Sequence, residues 1–501
     1  MIDGHTGEED TFGSALRKSV RLAMNLQEHG IKPNDLILIC TSSTVDGCIP
    51  IFASLYLGAK ITIFEKEIPI NEAVIMINEI DPVMMFISLD SIDFIEKLLK
   101  ESNKCATVVV FGETNSYLNY FDMIGFLDGE DQFLPIAVEE TQIAFIFFTS
   151  GSSAVPKAIS YSHVGLLTLV GVSLDLNESF DMIMLLMSLG WITNLCYLVY
   201  SIIKGYCRLS LNNTDDLQLV WNVIDTYKPN FFCTVPNKLR HLCETVPHGA
   251  SGESLKRVYI GGGSVGIHEW KNYKKIFRNA IVSSGYGVSE VGLLFYFPSS
   301  TEEELQCIES KPNSVGRVLN GISYKVVNVD TEELLGPYKN GELHVKPNII
   351  LSKYYRGNSN DVFEKDGWFK TGDLFYYDED YYFYFVERIK NLIKYQHLWH
   401  VYPKVVEDFL RSRNEVSNAC VFGIPCENED EQTVAIVVLS PFYTAVDNIQ
   451  YELCRYVEES LGVRYKLRGG IKIVDKIPLL PSGKPDIRKL RRDFIMSTKK
   501  T

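Results

Sequence analysis

The stretch FFTSGSSAVPKAIS, residues 147–160, carries residue types that could hold phosphate. It overlaps the end of IAFIFF (143–148), which predicts a buried strand, and it combines hydroxyl side chains with a glycine and a lysine. Hydroxyls and backbone N–H groups after a strand can surround phosphate oxygens, and a lysine adds positive charge. A Walker loop is excluded because GK[ST] is missing, and a serine-rich turn is the alternative. The candidate phosphate ligands are Thr149, Ser150, Gly151, Ser152, Ser153 and Lys157.

Two glycine clusters further along the chain could line a nucleotide site. Residues 261–266 fit GxGxxG, but the acid that a dinucleotide site needs about 20 residues later is missing before Glu290. In the second cluster, SGYGVSE, Tyr286 could stack on a purine and Glu290 could hold a magnesium ion. Taken alone, this second cluster is also compatible with an ordinary glycine turn.

Charged residues in the last third of the chain complete the set of candidates. The sequence KTGD places Asp373 in a predicted tight turn, where its carboxylate could bind a ribose diol or could cap the turn. Arg388, Lys390 and Lys394 follow in ERIKNLIKY, and Lys484 lies in PSGK near the end. A single lysine in a turn is usually just solvated. These residues therefore indicate a functional site only through their order along the chain.

The elements around these residues predict a layered α/β fold. Buried-strand runs at 35–40 and 61–64 alternate with helical spacing such as that at 14–29, which predicts parallel βαβ units with helices on both faces. From about residue 311 the pattern changes to antiparallel strands, and from about 388 a smaller core includes an amphipathic helix at 448–461. The predicted fold is a large N-terminal α/β domain with a β-rich subdomain, followed by a small mobile α+β C-terminal domain.

Bulk composition narrows the classes of partner. A chain of 501 residues suggests two to four domains. The net charge of −14 argues against nucleic acid, so an anionic ligand must be met by local lysines and arginines. The 11 cysteines contain no CxxC pair, which favours an intracellular protein with reduced thiols. The C-terminus carries no SKL-type address, so this segment does not support a peroxisomal location, and the cytoplasm is the alternative compartment.

Two further patterns have a structural and a functional interpretation. Residues 182–203 contain no charge and are long enough to cross a bilayer, but Ser188 and Gly190 interrupt them. A buried strand at 182–187 and a buried helix at 191–203 are the favoured interpretation. His397 and His400 form HxxH, but no carboxylate or cysteine cluster joins them, which argues against a metal site.

The order of the motifs resembles that of the adenylate-forming superfamily. A hydroxyl-rich loop with PK is followed by GYGxSE, TGD, ERxKxxIK and PSGK over more than 300 residues. DGHTGEEDTF, KDGWFKTGD and RYKLRGGIKIVDKIP look most like the insect luciferase and 4-coumarate–CoA ligase branch. The resemblance implies an ATP-dependent carboxylic acid–CoA ligase that uses Mg²⁺, forms an acyl-adenylate and then transfers the acyl group to coenzyme A. A nucleotide-binding relative without catalysis and a luciferase-like monooxygenase are the alternatives.

The resemblance also implies domains and residue roles. The N-terminal AMP-binding domain would cover 1–387 and the C-terminal domain 388–501, with a hinge near Lys390. Lys484 would act in adenylation and Lys394 in thioester formation. Tyr286 would pack on adenine, and Gly262 and Gly263 would leave room for the acyl group and the base. The other implied nucleotide contacts are phosphate binding by Thr149, Ser150, Gly151, Ser152, Ser153 and Lys157, α-phosphate contact by Ser289, metal binding by Glu290, ATP binding by Gly287, and ribose binding by Asp373 and Arg388.

Several positions depart from the family pattern. Ala154 and Ala158 replace glycines of the phosphate loop, which predicts weaker ATP binding if the backbone there needs positive φ. MSLGWITN lacks the histidine pair of luciferases, which argues against light emission, and it places Trp191 near the acyl pocket. His397 stands where a glycine usually borders the coenzyme A channel, which predicts a narrower path for the thiol.

Overall fold

The structure is a computed structural model of the whole chain. It describes the residues 1–41, 45–149, 156–174, 179–299, 301–349, 352–356, 362–395, 399–426, 430–441, 443, 448–480 and 483–498.

The strands are, in chain order, β1 (Ile2–Asp3), β2 (Leu36–Cys40), β3 (Lys60–Ile63), β4 (Pro82–Ser88), β5 (Thr107–Phe111), β6 (Leu118–Asn119), β7 (Ile143–Thr149), β8 (Lys157–Ser162), β9 (Met182–Leu185), β10 (Cys207–Ser210), β11 (Phe231–Thr234), β12 (Arg257–Ile260), β13 (Ile281–Ser284), β14 (Tyr286–Val288), β15 (Gly292–Tyr296), β16 (Arg317–Val318), β17 (Ile322–Val327), β18 (Gly341–Pro347), β19 (Ser352–Tyr354), β20 (Phe369–Tyr377), β21 (Phe383–Arg388), β22 (Ile393–Tyr395), β23 (Trp399–Val401), β24 (Val416–Cys426), β25 (Asp430–Leu439) and β26 (Gly470–Ile473).

The α-helices are α1 (Phe12–Glu28), α2 (Ile49–Tyr56), α3 (Ile70–Asn78), α4 (Ile92–Ser102), α5 (His163–Leu174), α6 (Ile192–Lys204), α7 (Leu217–Tyr227), α8 (Pro236–Glu244), α9 (Ile267–Ile276), α10 (Glu302–Ser310), α11 (Pro403–Arg411), α12 (Ile449–Leu461) and α13 (Ile487–Thr498).

Two large sheets form the N-terminal part. One has the order β1-β10-β9-β11-β12-β13 and is parallel throughout. The other has the order β19-β8-β7-β3-β2-β4-β5-β6, with antiparallel pairing only at the β19 and β8 edge. The largest buried cluster joins residues of both sheets, such as Phe145 and Phe231, to Leu195 of α6. The predicted βαβ layering is confirmed.

The β-rich subdomain lies between these sheets and the C-terminal domain along the chain. Its sheet has the antiparallel order β17-β18-β20-β21, and a smaller antiparallel sheet joins β14, β15 and β16. The C-terminal domain folds α11, α12 and α13 against a sheet of β23-β22-β25-β24, with β26 paired to β25. The small α+β C-terminal domain that the sequence predicts is therefore present.

The uncharged stretch at 182–203 does not form one long helix. It forms β9, a turn and all of α6 except its last residue, close to the predicted strand and helix, because Ser188 and Gly190 hydrogen-bond within the turn. Within the described part of the chain, no helix is both long enough and apolar enough to cross a membrane.

Buried side chains from the second sheet fix the loop that follows β14. The hydroxyl of Tyr161 in β8 donates a 2.7 Å hydrogen bond to the carbonyl oxygen of Ser289. The hydroxyl of Ser352 in β19 donates to the carbonyl oxygen of Glu290. Tyr161 is fully buried, so its bond is shielded from water. The two bonds hold the backbone of residues 289 and 290 against the edge of the eight-stranded sheet.

The Tyr161 bond predicts a measurable stability effect. Tyr161→Phe removes the donor and leaves a carbonyl oxygen without its partner, which should lower the free energy of unfolding by about 1–3 kcal/mol. Denaturant unfolding of the parent and the variant measures this loss. Tyr451→Phe is the matched control, because Tyr451 is exposed. An unchanged unfolding midpoint for Tyr161→Phe would mean that the bond contributes nothing to stability.

Candidate active site

An ion pair between Asp373 and Arg388 forms the centre of the site. The two residues are directly opposite each other in the β20–β21 pair, and Arg388 Nε lies 3.2 Å from Asp373 Oδ1. The hydroxyl of Tyr286 donates a 2.7 Å hydrogen bond to Asp373 Oδ2. Asp373 is 1% exposed, and burial raises the pKa of its carboxyl although Arg388 opposes that shift. Its buried Oδ1 accepts no hydrogen bond, so it could accept one from a ligand hydroxyl.

The predicted tight turn at Asp373 is wrong. Asp373 lies inside β20, and Gly372 before it has φ +69°. The Thr371 hydroxyl accepts a hydrogen bond from the Asp373 amide, and Glu342 of β18 accepts one from the Gly372 amide. A glycine with positive φ can form a local irregularity within a strand as well as a turn, so the local sequence alone does not distinguish them.

Tyr286 and Gly287 lie on a short strand that packs tightly on its neighbour. The Tyr286 ring lies 4.8 Å from the ring of Phe375 in β20, measured between centroids. A Cβ atom at position 287 would lie 2.6 Å from the carbonyl oxygen of Gly292, so this position accepts only glycine without movement. Burial and the neighbouring Asp373 raise the pKa of the Tyr286 hydroxyl, so it stays protonated and donates. Gly287 is exposed, so no side chain covers the backbone of the strand at that position.

Trp191 packs against the glycine loop that follows β12. Gly262 has φ +75°, and a Cβ atom there would lie 2.9 Å from the Trp191 indole. A Cβ atom at Gly263 would lie 3.0 Å from the ring of Pro236. Trp191 is the N-cap residue of α6, so the helix sets the position of the indole. The glycine cluster is thus used here for close packing, at Gly262 against an aromatic side chain and at Gly263 against a proline ring.

Lys484 reaches the site from the C-terminal domain. Its carbonyl oxygen accepts a 2.7 Å hydrogen bond from the Leu480 amide, which closes a turn. The side chain of Asn237 in α8 donates a 2.6 Å hydrogen bond to the Gly483 carbonyl oxygen, which fixes the turn against the N-terminal part. Burial, and then the charge of Arg388, lower the pKa of the Lys484 ammonium to about 8. Asp373 opposes this shift.

These elements surround a cavity of about 700 Å³ between the N-terminal part and the C-terminal domain. The residues predicted from the sequence that line it are Gly262, Gly263, Tyr286, Gly287, Asp373, Arg388, Lys390 and Lys484. A cavity of this volume falls in the range of small-molecule sites.

A second cavity of about 680 Å³ shares the Asp373–Arg388 pair. Lys157 and Glu290 line it. The Lys157 ammonium lies 3.3 Å from the hydroxyl of Tyr354 and 4.8 Å from the centre of its ring. Burial raises the pKa of the Glu290 carboxyl. A lysine and an acid therefore face one space next to the end of the phosphate loop.

The remaining candidates differ in position. Thr149 is the last residue of β7, and its buried hydroxyl has no hydrogen-bond partner among the described residues. Ser289 is half-buried and lines neither cavity, and Lys394 in β22 is exposed and lines neither. Ser150, Gly151, Ser152, Ser153, Ala154 and His397 lie outside the described residues.

Ala158 lies in regular antiparallel structure. It pairs with Phe148 across β7 and β8, and its φ is not positive. The conditional prediction of strain from alanine in place of glycine therefore does not apply at this position.

Comparisons with known proteins were made along the whole chain. A family model described as AMP-binding enzyme matches residues 1–355, and one described as AMP-binding enzyme C-terminal domain matches residues 405–484. Luciferin 4-monooxygenase from Photuris pensylvanica is 26% identical, over 99% of this chain and 91% of that protein. 4-coumarate–CoA ligase-like 9 from Arabidopsis thaliana is 25% identical, over 98% and 86%.

A solved structure supports the same assignment. The luciferase-like enzyme from the nonluminescent Zophobas morio mealworm has a TM-score of 0.73 and 31% identity, covering 78% of this chain and 92% of that one. The chain belongs to the AMP-binding enzyme family, which places it in the adenylate-forming superfamily among luciferase-like and 4-coumarate–CoA ligase-like relatives.

Proposed function

We propose that this chain is an ATP-dependent carboxylic acid–CoA ligase that works through an acyl-adenylate. The observation that carries the proposal is the placement of Lys484 in the same cavity as Tyr286, Asp373 and Arg388. Among the described residues, Lys484 lines that cavity, whereas Lys394 is exposed outside it. This arrangement suits the first half-reaction, in which a carboxylate attacks the α-phosphate of ATP.

The nucleoside would bind at the centre of the site. Adenine would lie against Tyr286 and the adjacent glycines, and the ribose hydroxyls would donate to Asp373. The buried Asp373 Oδ1 fits this role, because its contact with Arg388 Nε is an ion pair without a hydrogen bond, and a ribose hydroxyl could supply that bond. Arg388 would keep the carboxylate ionised beside the ribose. The sugar would thus connect the two cavities.

The phosphates would extend toward Lys157 and Thr149. Glu290 fits a magnesium ligand, because its carboxylate is largely buried, lines the same cavity and forms no ion pair with a described side chain. A magnesium ion there would neutralise phosphate charge, and most of its ligands would come from phosphate and water, since no other acid or histidine of the described residues completes a metal-binding group.

Lys484 would stabilise the charge that develops on the α-phosphate and on the attacking carboxylate. A fixed cation at such a position contributes several kcal/mol, or roughly 10²–10³ in rate. Trp191 and the glycine loop would limit the space for the acyl group. The acid would therefore lie between the indole and the Lys484 turn.

Thioester formation would require a different domain arrangement. Lys394 is exposed here, so a rotation about the short 3-10 helix Ile389–Asn391 would have to bring it to the acyl-adenylate. Lys390 lies in that segment, which agrees with a hinge near residue 390 and with a domain boundary between 387 and 388. Coenzyme A would enter along the loop that contains His397.

A nucleotide-binding relative without catalysis is the alternative. The altered residues Ala154 and His397 motivate it. ATP–pyrophosphate exchange with a panel of aromatic and fatty acids distinguishes the two functions. Exchange that requires an acid supports the ligase, and ATP-dependent thermal stabilisation without exchange supports the alternative.

The role of Lys484 predicts a large loss on substitution. Lys484→Ala should lower acyl-adenylate formation by about 10²-fold or more, because the charge at the α-phosphate is removed. Lys472→Ala is the matched control, since Lys472 lies on β26 of the same domain and hydrogen-bonds Ser497 away from the cavities. Adenylate formation by Lys484→Ala at the parent rate would contradict the role.

The lowered pKa of Lys484 predicts a pH dependence. Its ammonium is charged below about pH 8 and becomes neutral as the pH rises through that value, so kcat/KM for ATP should fall above pH 8. Arginine stays charged over this range, so Lys484→Arg should show no such fall in its residual activity. An equal alkaline fall in both proteins would assign the titration to another group.

The contact of Trp191 with Gly262 predicts a change in substrate preference. Trp191→Ala should open apolar space and shift the ratio of kcat/KM values toward acids with larger apolar groups, by about 10- to 200-fold. Neither tryptophan lines the two cavities, and Trp368→Ala is the control because the Trp368 ring packs on Lys325, whereas Trp191 packs on the glycine loop. An unchanged ratio would place the acyl group elsewhere.

A further inference from the structure

A continuous series of hydrogen bonds runs from the N-terminal part to the turn that carries Lys484. The Arg240 guanidinium donates from Nη1 to Asn237 Oδ1 at 3.1 Å. Asn237 in turn donates from Nδ2 to the carbonyl oxygen of Gly483 at 2.6 Å. Lys484 is the next residue. The position of Lys484 in the cavity therefore depends on where α8 holds Asn237 and Arg240.

Arg240 is itself fixed from two directions. Its Nε donates to Glu269 Oε1 at 2.9 Å, while Glu269 Oε2 accepts from the Gly266 amide at the beginning of α9. Its Nη1 also donates across the domain boundary to Asn418 Oδ1 at 2.7 Å. Arg240, Glu269 and Asn418 are each at least nine-tenths buried. We call Asn237, Arg240, Glu269 and Asn418 the Arg240 cluster.

We propose that Arg240 is a positioning residue that holds the Lys484 turn in the cavity through Asn237, and that its bond to Asn418 stabilises this arrangement of the two domains. The inference rests on the proposed function of Lys484. Buried hydrogen bonds to a charged group are the strongest of their kind, so the cluster is well suited to select one domain arrangement.

Each arginine of the interface has an acid within its own domain. Arg240 pairs with Glu269 on the N-terminal side, and Arg411 pairs with Asp408 at 2.7 Å on the C-terminal side. The bonds of the cluster that cross the boundary reach neutral groups, the Asn418 amide and the Gly483 carbonyl. The charge contact from Arg411 Nε to Glu269 Oε1 is longer, at 3.7 Å.

This division of charges makes the interface separable. A buried ion pair is costly to break when one charge is left without its partner. When the C-terminal domain moves away, Arg240 and Arg411 each keep an acid in their own domain. The Arg240 cluster can therefore hold the Lys484 turn firmly and still release it, as a two-step reaction requires.

The first test follows the environment of Lys484 without any substrate. The full-length protein is treated with an amine-reactive reagent over a pH series, and labelling of Lys484 is quantified by mass spectrometry. In the parent, labelling should have its midpoint near pH 8, because Arg388 and Lys390 face the buried ammonium opposite Asp373. In Arg240→Met and Asn237→Ala the midpoint should move up toward the ordinary lysine value, because the turn leaves the cavity.

Ser417→Ala is the matched control for that test. The Ser417 hydroxyl donates to Glu244 Oε1 at 2.7 Å across the same domain boundary, but this bond does not lead to Lys484. The labelling midpoint of Lys484 in Ser417→Ala should equal that in the parent. Asn237→Ala deletes only a small amide, so it decides the question if Arg240→Met does not fold. An unchanged midpoint in Asn237→Ala would overturn the positioning role.

The second test separates the two half-reactions. Asn418→Asp places a carboxylate opposite Arg240 Nη1, so it should hold the domains more firmly and slow thioester formation from preformed acyl-adenylate by about tenfold. Adenylation should stay near the parent rate. Asn237→Ala should do the reverse, lowering kcat for adenylation with little change in KM for ATP. Faster thioester formation by Asn418→Asp would overturn the cross-domain part of the proposal.

The outcomes also distinguish this proposal from the function on which it rests. A shift of the labelling midpoint in a protein that forms no adenylate would support the Arg240 cluster and refute the ligase. Adenylate formation by the parent together with an unshifted midpoint in both variants would support the ligase and refute the cluster.

Discussion

The buried Asp373 carboxylate and its ion pair with Arg388 are the interaction on which the site depends. Taking a carboxylate out of water is expensive, and the cost is offset only when cations and donors surround it. Here Arg388 comes from the adjacent strand and Tyr286 from a different sheet. β21 ends at Arg388, and the chain then continues into the segment that leads to the C-terminal domain. One acid thus aligns the β20–β21 hairpin, the candidate ribose site and the start of the proposed hinge.

Much of the fold could be predicted because buried segments keep the period of their element. The amphipathic helix predicted at 448–461 is α12 (Ile449–Leu461), and the buried strand predicted at 35–40 is β2 (Leu36–Cys40). The predicted boundaries of helices were less accurate. The helix predicted at 14–29 is α1 (Phe12–Glu28), which begins two residues earlier because the Thr11 hydroxyl caps it by accepting a hydrogen bond from the Ser14 amide. Periodicity predicts which residues are buried, but local hydrogen bonds decide where an element ends.

The residues of the candidate site could be predicted from the sequence only where each lies in a short motif with a recognisable pattern. Motif order placed Tyr286, Asp373, Arg388 and Lys484 in one site, and these residues do line one cavity. The Arg240 cluster had no such signal, because it joins α8, α9 and β24, which are distant in the sequence, and its bond to Asn418 forms only when the two domains dock. Its members are single polar residues without a recurring spacing. The sequence predicts a turn at Asp373, where the structure has a strand. The strand depends on pairing with β18 and β21, which the local sequence does not show.

The distribution of charge explains why such docking contacts are needed. The chain has a net charge of −14, yet Arg388, Lys390 and Lys484 gather around one carboxylate at the cavity. Bringing the Lys484 turn to this place buries its ammonium and sets it beside two other cations, so burial first, and then the charge of Arg388, lower the pKa of Lys484. The hydrogen bonds of the Arg240 cluster offset part of that repulsion before any ligand binds. A polyanion in the cavity would remove the rest, so ligand binding and the position of the C-terminal domain are linked through the same three charges.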